Sequence, residues 1–500
     1  MKSKNIYMKY TYTLLIVLSL CCSGCNDFLN EAPDNRIEVN TLDKASELLV
    51  AAYPNVDYLF TDWFTEEAEY IETNNQTPLM TESFMWEELG SYDDTNSPSG
   101  YWYAAYKSIA QANSALEALE NIEDEDDVYR NAIKGEAFLC RAYSHFMIAT
   151  LFCNNYDSTT AIKDMGIPYV AESEKQLIKE YDRGTLANTY EKIEADLLAG
   201  LKLVSDDYYS GSKKYHFTKQ AAYAFASRFY LYKKDYNKSI EYADKVFGGS
   251  AINKAYIKDL IAYSEQSGVT EKMQFYINNG DASNILIVEK LVSIGLRHNY
   301  GYRTAIKSWN ALFEATIFSG NDFRYRYMSY YGDGSRNVIK AAKFDEEFYK
   351  ESLTATTGYP FYVQAVFRGE DLLFNRIESY IQLGDLDKAL NDLNEFSQYR
   401  YSTPVALTIS DVQAYYTTVD EEGVTVVPSE KEALLQLCLS EKRKEYIHEG
   451  MRWFDIKRYN IEVTHITFDH KKLVLEKNDL RKVLQIPIDA TEAGLTKNPR

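Results

Sequence analysis

The sequence predicts a mainly α-helical protein in which tetratricopeptide-like helical hairpins form a compact scaffold carrying long loop-rich insertions and short strands. Three observations carry that prediction. Apolar residues recur at helical spacing through Tyr101–Leu119, at Ala104, Ala105, Ile109, Ala112, Ala115 and Leu116, and again through Ala132–Leu151. A segment repeats at an offset of 150 residues: Tyr230-Leu-Tyr-Lys-Lys-Asp235-Tyr-Asn-Lys238-Ser-Ile240 matches Tyr380-Ile-Gln-Leu-Gly-Asp385-Leu-Asp-Lys388-Ala-Leu390. Each copy reads as helix, tight turn and second helix, with a small residue (Ser239 or Ala389) where the two helices must approach closely. Residues 54–100 and 251–365 break the helical period and are rich in Tyr, Asn, Gly and Ser, which marks them as insertions.

The elements follow in chain order. Lys2, Lys4 and Lys9 precede an apolar run from Leu14 to Leu20 and the small-residue segment Cys22-Ser23-Gly24-Cys25. The run is shorter than the ~20 residues a membrane-crossing helix needs, so residues 1–24 read as a lipoprotein export signal and Cys25 as the acylated mature N-terminus. Residues 25–41 are polar, contain Pro33 and read as a tether. The region 42–250 opens with an amphipathic helix over Leu42–Tyr53 and holds a ligand loop at 54–100. Its helix pairs lie at 101–151, around the acidic turn Glu123–Asp127, and from Leu186-Ala187 into Thr218–Tyr232. The insertion 251–365 offers only short strand-like runs such as Ile285–Val288. In the region 366–500, Ser429 with Glu432 three residues on is a capping box that starts a helix ending before Gly450. Beyond it, Lys472–Leu475 and Val483–Ile488 are strand-like.

Composition narrows the function. The net charge is −20, and loss of Lys2, Lys4 and Lys9 with the signal makes the chain more acidic still, so phosphate-rich nucleic acid is excluded as a partner. Beyond the signal, Cys140, Cys153 and Cys438 remain. The first two share one predicted helix at a separation of ~20 Å, beyond disulfide reach, so the fold relies on its core. No metal or cofactor is expected: His465 and His470 have no neighbouring Cys, and His448-Glu449 lacks the second His of a zinc helix. A loop calcium site would fall at Asp93 and Asp94. There is no phosphate-binding or dinucleotide glycine loop and no nucleophile elbow, so the sequence does not read as an enzyme. The charges of Glu441, Arg443, Glu445, Glu449, Arg452, Asp455 and Arg458 read as an ion-pair network that fixes the last helix and its following turn. The 43 tyrosines suit amphipathic ligand contact and interhelical packing alike.

The stretch Leu437-Cys-Leu-Ser-Glu441-Lys-Arg443-Lys-Glu445-Tyr-Ile-His-Glu449-Gly450-Met-Arg452-Trp453-Phe454-Asp455-Ile-Lys457-Arg458 resembles the C-terminal signature of the SusD/RagB family. Cys25-Asn-Asp-Phe-Leu29, Trp102–Asn113, Gly135-Glu136-Ala-Phe-Leu-Cys-Arg141-Ala142, Asn321-Asp322-Phe-Arg324, Ile486-Pro487 and Asn498-Pro499 resemble its other motifs in order. Cys140 stands where the family usually has Arg, and the closing Asn-Pro motif is shortened at Arg500. The resemblance implies a lipid-anchored outer-membrane protein facing the cell exterior, partnered with a SusC-like TonB-dependent transporter and binding a glycan or oligopeptide.

For a glycan, family members use aromatic rings flanked by hydrogen-bonding side chains, since a sugar's C–H face stacks on a ring while its hydroxyls need polar partners. The two insertions concentrate such residues: Trp63, Glu72, Asn74, Asn75, Trp86, Tyr92 and Tyr101 in the first, Asn299, Tyr300, Tyr302, Arg303 and Trp309 in the second. Trp86 and Tyr302 are the expected stacking rings and Asn75 and Arg303 their polar partners, with Trp63, Tyr92, Tyr101 and Asn299 nearby. Trp102, Trp309 and Trp453 are expected to pack in the core. Two rival readings stand beside glycan capture. RagB-like peptide capture predicts few exposed stacking rings. A scaffold that binds only the transporter predicts that Trp86 and Tyr302 are buried.

Overall fold

The computed structural model describes residues 39–500 apart from 73–75, 91, 93–94, 124–125, 176–178, 210–212, 293–300, 332–337, 351 and 353. The expected lipidation site Cys25 lies outside the described residues. Helix α1 (Leu42–Leu48) starts at Thr41, whose hydroxyl accepts from the Lys44 amide. It tightens into a 3-10 turn at Leu49–Ala51 instead of reaching Tyr53, because Pro54 disfavours helical backbone before it. After the short α2 (Pro78–Phe84), the expected hairpin forms from α3 (Pro98–Asn121), capped by Ser97, and α4 (Asp127–Phe152), capped by Asp126. On its other side α4 packs against α5 (Leu186–Leu203). Two glycines make that approach possible. A Cβ on Gly135 would lie 2.5 Å from the Val204 nitrogen, and one on Gly200 would lie 2.6 Å from Leu139 Cγ.

The repeat resolves into two helical hairpins, α6 (Lys219–Tyr232) with α7 (Tyr236–Phe247) and α8 (Gly369–Leu383) with α9 (Leu386–Ser397). Lys234 at φ +65° and Gly384 at φ +86° take the left-handed turn at equivalent positions. Ser239 and Ala389 are fully buried, and the Ser227 and Ser239 hydroxyls each donate to the other's carbonyl at 3.0 Å. Helix α7 packs on α8, so the two copies are stacked neighbours although 150 residues separate them. Residues Thr41–Arg500 form one compact unit.

The second insertion is more ordered than its composition suggests. After the two-residue strand β1 (Glu69–Tyr70) in the first insertion, β2 (Asn284–Leu291) covers the expected Ile285–Val288 run. The second insertion adds β3 (Tyr302–Arg303), β4 (Met328–Tyr331), β5 (Val338–Ala341), β6 (Glu347–Tyr349) and β7 (Tyr359–Arg368). Strand β7 lies antiparallel between β2 and β6. Tyr263, Tyr276, Trp309, Phe313, Tyr327 and Tyr362 build a separate core here. Its rings meet edge to face, as Tyr263 and Tyr327 do at 4.8 Å and 86°. Much of the tyrosine excess is therefore packing.

After the hairpin of β8 (Thr418–Val419) and β9 (Thr425–Val426), α10 (Glu430–Glu445) begins with the expected capping box. It stops at Glu445, before the predicted end, because His448 turns left-handed at φ +63°. Gly450 then takes φ +71° against the Tyr58 backbone and α11 (Arg452–Arg458) follows. Strands β10 (Val463–Ile466) and β11 (Lys472–Leu475) pair antiparallel. Val483–Ile488 is not a strand: its Leu484 amide donates to Leu151 at the end of α4, and a short helix starts at Ile488. Cys140, Cys153 and Cys438 are free and buried. No helix among the described residues is long and apolar enough to cross a membrane.

The charged signature forms the expected ion-pair network, with partners drawn mostly from other elements. Glu445 accepts from Arg400 at 2.7 and 3.1 Å and from Arg368 at 3.3 Å, all three side chains being fully buried. Arg324 binds Glu441, and Lys442 bridges Glu378 and Asp455 at 2.8 Å each. Arg443 and Arg452 reach Glu66 at 3.3 and 2.7 Å, which ties the signature to the first insertion. Burial pushes Glu441 and Glu378 up, but the cations beside them prevail and hold both carboxyls down at about 2.

Two outcomes follow from this packing. Gly135→Ala forces α4 and α5 apart and is expected to destabilise the protein by about 1–3 kcal/mol in urea denaturation. Glu445→Gln leaves Arg368 and Arg400 short of their counter-charge and is expected to cost about 3–5 kcal/mol. Because the folded carboxyls of Glu441 and Glu378 titrate below their unfolded value, their contribution is complete above about pH 5 and lost as the pH falls toward 2. Urea midpoints measured from pH 6 to 2 should drop across that window, and less steeply in Glu378→Gln.

Candidate functional site

The two insertions meet at one edge. Strand β1 pairs antiparallel with β3, placing Tyr70 opposite Tyr302 and Glu69 opposite Arg303, and the Ile71 amide donates to the Gly301 carbonyl at 2.7 Å. Behind this pair runs a continuous ladder of six rings. Trp86 stacks on His465 at 4.2 Å and 16°, His465 on Phe84 at 4.1 Å and 8°, and Phe84 leans on Tyr302 at 4.5 Å. Tyr302 meets Tyr70 at 5.9 Å, and Tyr70 meets Phe468 at 6.2 Å.

Local sequence sets each rung. Helix α2 ends at Phe84, and Trp86 takes φ +52°, turning its indole inward so that Nε1–H donates to the Phe64 carbonyl at 3.0 Å. His465 alternates inward along β10, its two ring nitrogens each 2.8 Å from a carbonyl oxygen, of Phe84 and of Thr65. Burial holds its pKa below the usual histidine value, against the pull of those carbonyls and of Glu66. Tyr302 donates to the Thr81 hydroxyl at 3.2 Å, and burial raises its phenol pKa. Phe468 sits in the turn between β10 and β11 and is 69% exposed. Tyr70 and Arg303 are half-buried and Glu72 is exposed.

The expected site residues fall as follows. Trp86 and Tyr302 are 4% exposed, so neither is an open stacking platform: Trp86 is the buried end rung, against His465, and Tyr302 is an inner rung between Phe84 and Tyr70. Trp63 and Tyr101 are 1% exposed and belong to the core, Tyr101 edge-on to Tyr58. Trp102, Trp309 and Trp453 are buried, as expected. Tyr92 is half-buried and donates to Glu82 at 2.7 Å; burial and that bond push its phenol up to about 12. It shares with Trp86 a cavity of about 100 Å³, the space of a few waters and too small for an oligomer. Arg303 lies on β3 opposite Glu69, at the mouth of the ladder. Asn74, Asn75, Asp93, Asp94, Asn299 and Tyr300 lie outside the described residues. Among the described residues no group of three His, Cys, Asp or Glu side chains is placed to hold a metal.

The sequence reading missed Tyr70, His465 and Phe468. Phe468 carried a usable signal, an aromatic residue in a polar turn between two strand-like runs, where no core waits for it. His465 carried none, since only its contacts with α2 and the 64–65 turn make it a rung.

Stacked helical hairpins whose insertions, and not whose helices, converge on an exposed aromatic edge define a tetratricopeptide-like scaffold with a loop-built site. Residues 323–490 match the SusD family profile, and residues 27–231 match a SusD-like profile described as starch-binding and associating with the outer membrane. The chain belongs to the SusD/RagB family. It is similar to SusD-like proteins P2 and P38 of Formosa agariphila, at 23% identity over 74% of this chain and 73% of that one, and at 22% over 92% of each. Among solved structures, a SusD superfamily protein from Bacteroides thetaiotaomicron superposes with a TM-score of 0.68 at 19% identity, covering 92% of this chain and all of the other. A SusD-like carbohydrate binding protein from Bacteroides vulgatus gives 0.64 at 16% identity, covering 91% and 96%. These likenesses establish the mainly helical fold.

The buried rungs are structural. Trp86→Ala is expected to lower stability by about 3–5 kcal/mol, with a matching fall in melting temperature measured by circular dichroism. Any ligand affinity lost in that variant would report the collapse of the ladder.

Proposed function

We propose that this protein is a surface-exposed, lipid-anchored nutrient-binding protein that captures oligosaccharides and passes them to a SusC-like TonB-dependent transporter, without catalysing a reaction. The observation that carries the reading is the β1–β3 pairing, which brings both insertions to a ring edge with Phe468 exposed, Tyr70 half-exposed and Glu69, Glu72 and Arg303 around it. Rings with adjacent carboxylate and guanidinium groups suit a sugar's apolar face and its hydroxyls. Family membership and the carbohydrate-binding description of one structural relative support the same ligand class. Acyl chains on Cys25 would hold the protein at the outer membrane. The body would close as a lid over the transporter mouth, trapping the oligomer beneath it.

Oligopeptide capture is the second reading, favoured by the burial of all five tryptophans, which leaves few exposed stacking rings. Burial of Trp86 and Tyr302 also meets the expectation of the scaffold reading, in which the transporter is the sole partner. Calorimetry with host and plant oligosaccharides and mixed peptides separates the three. Under glycan capture, Phe468→Ala keeps the wild-type melting temperature and loses about tenfold or more in sugar affinity. Peptide-only binding selects the second reading, and silence from both panels leaves the scaffold.

A further inference from the structure

A large cavity lies away from the ring ladder, and none of the ladder residues lines it. It is a groove of about 950 Å³ between the helical hairpins and the C-terminal segment, walled by the end of α4, the α6–α7 turn, α11 and residues 478–483. That volume is within the ordinary range of ligand sites.

Its lining is the reverse of the ladder's. Tyr156, Tyr190, Tyr232 and Tyr236 all line it, and among the described residues none of their hydroxyls has a hydrogen-bond partner; Tyr190 is buried and the other three are half-buried. Elsewhere some phenols are satisfied within the protein, those of Tyr53, Tyr276 and Tyr362 each donating to a carboxylate, while those of Tyr327 and Tyr446 are buried without a partner. Three part-exposed phenols on one groove, those of Tyr156, Tyr232 and Tyr236, therefore form a set of donors and acceptors open to a ligand. Tyr156 leans on Tyr190 at 4.6 Å and 35°, and the Arg458 guanidinium is held 4.5 Å from the Tyr232 ring centroid and 5.1 Å from that of Tyr459, which fixes the wall.

Three of the six left-handed non-glycine residues among those described line this groove: Lys234 in the turn of the repeat, and Asn460 and Asn478, which hydrogen-bond to each other and so fix the rim. Two of the cations along the groove are paired in place, Lys234 with Asp157 at 2.8 Å and Arg458 with Glu378 at 2.6 Å. Lys431, Lys457 and Lys482 donate to oxygens of Gln382, Thr150 and Asn460, and Asp164 and Glu432 accept from the Thr160 and Ser429 hydroxyls, so both signs of charge lie along the groove and neither dominates. Among the described residues no strand edge borders the groove to pair with a peptide backbone.

We infer that this groove is a second ligand site, taking a neutral, hydroxyl-rich oligosaccharide by phenol and amide hydrogen bonds, independently of the ring ladder. The inference does not depend on what the ladder binds. The test uses the full chain carrying Phe468→Ala, so that the ladder is disabled, with maltohexaose, xylohexaose and mannohexaose as probes in saturation-transfer NMR and calorimetry. At least one probe should still bind, and adding Tyr236→Ala with Asn154→Ala, both at the groove surface, should weaken it tenfold or more while the melting curve stays in place. Tyr156→Phe, which removes only a hydroxyl, should weaken it severalfold. Failure of all three probes to bind the Phe468→Ala protein, affinity unchanged in the groove variants, or binding only of tryptic casein peptides would each overturn the inference.

Discussion

The structure depends on one buried carboxylate. Glu445, the last residue of α10, lies between Arg400, which follows α9, and Arg368, which joins β7 to α8, with Arg324 of the second insertion 3.9 Å away. Three regions far apart in sequence thus converge on two oxygen atoms. Taking these charges out of water is costly, and their mutual attraction need not exceed that cost. Its effect is selective: any arrangement of the hairpins that moves one arginine leaves a charge unpaired in a dry interior. Glu370, which accepts from Arg400 at 2.8 Å, and Lys343, which pairs with Glu449 at 2.7 Å, extend the same constraint to neighbouring elements.

The constraint reaches the binding edge through the first insertion. Arg443 and Arg452, on and after the same helix, hold Glu66, four residues before Tyr70. Gly450 donates its amide to Asp62 at 3.1 Å and admits Tyr58 against its own backbone. A loop rich in polar residues is held in place from below, and its aromatic residues are free to fill the ladder.

Much of the fold was legible in the sequence because local rules decide it. The repeat at 230 and 380 predicted the turn, the small contact residue and the paired helices, and Ser429 with Glu432 predicted the start of α10. Boundaries failed where tertiary contacts override local pattern: α10 ends early because His448 turns to place its ring nitrogens against Thr304 and Ala341. The site was legible only in outline. That both insertions would hold aromatic and polar site residues followed from their composition; that β1 and β3 would pair and join them did not. Which rings would be open did not follow either, since Trp86 looks the same in sequence whether it faces solvent or a histidine 379 residues further on, and Tyr302 whether it faces solvent or a phenylalanine 218 residues before it. The largest aromatic residues are those with most to gain from burial, and here all five tryptophans were drawn inside.

The two candidate sites therefore differ in kind. The ladder offers an apolar ring standing on a rigid stack, whose rungs come from residues 70 to 468 and are locked by packing. An exposed ring is costly to hold in water unless it is pre-positioned, and the stack supplies that positioning without any contact to the ligand. The groove offers phenols and amides on helices whose spacing is set by the repeat. With a net charge of −20, the whole molecule repels polyanions at long range, so both surfaces disfavour anionic ligands before any contact is made. What distinguishes them is the coupling to the core. Phe468 can change without disturbing Glu445, whereas loss of Glu445 would slacken Arg368 and the insertion behind β3, and with it the position of Tyr302 on which Tyr70 rests.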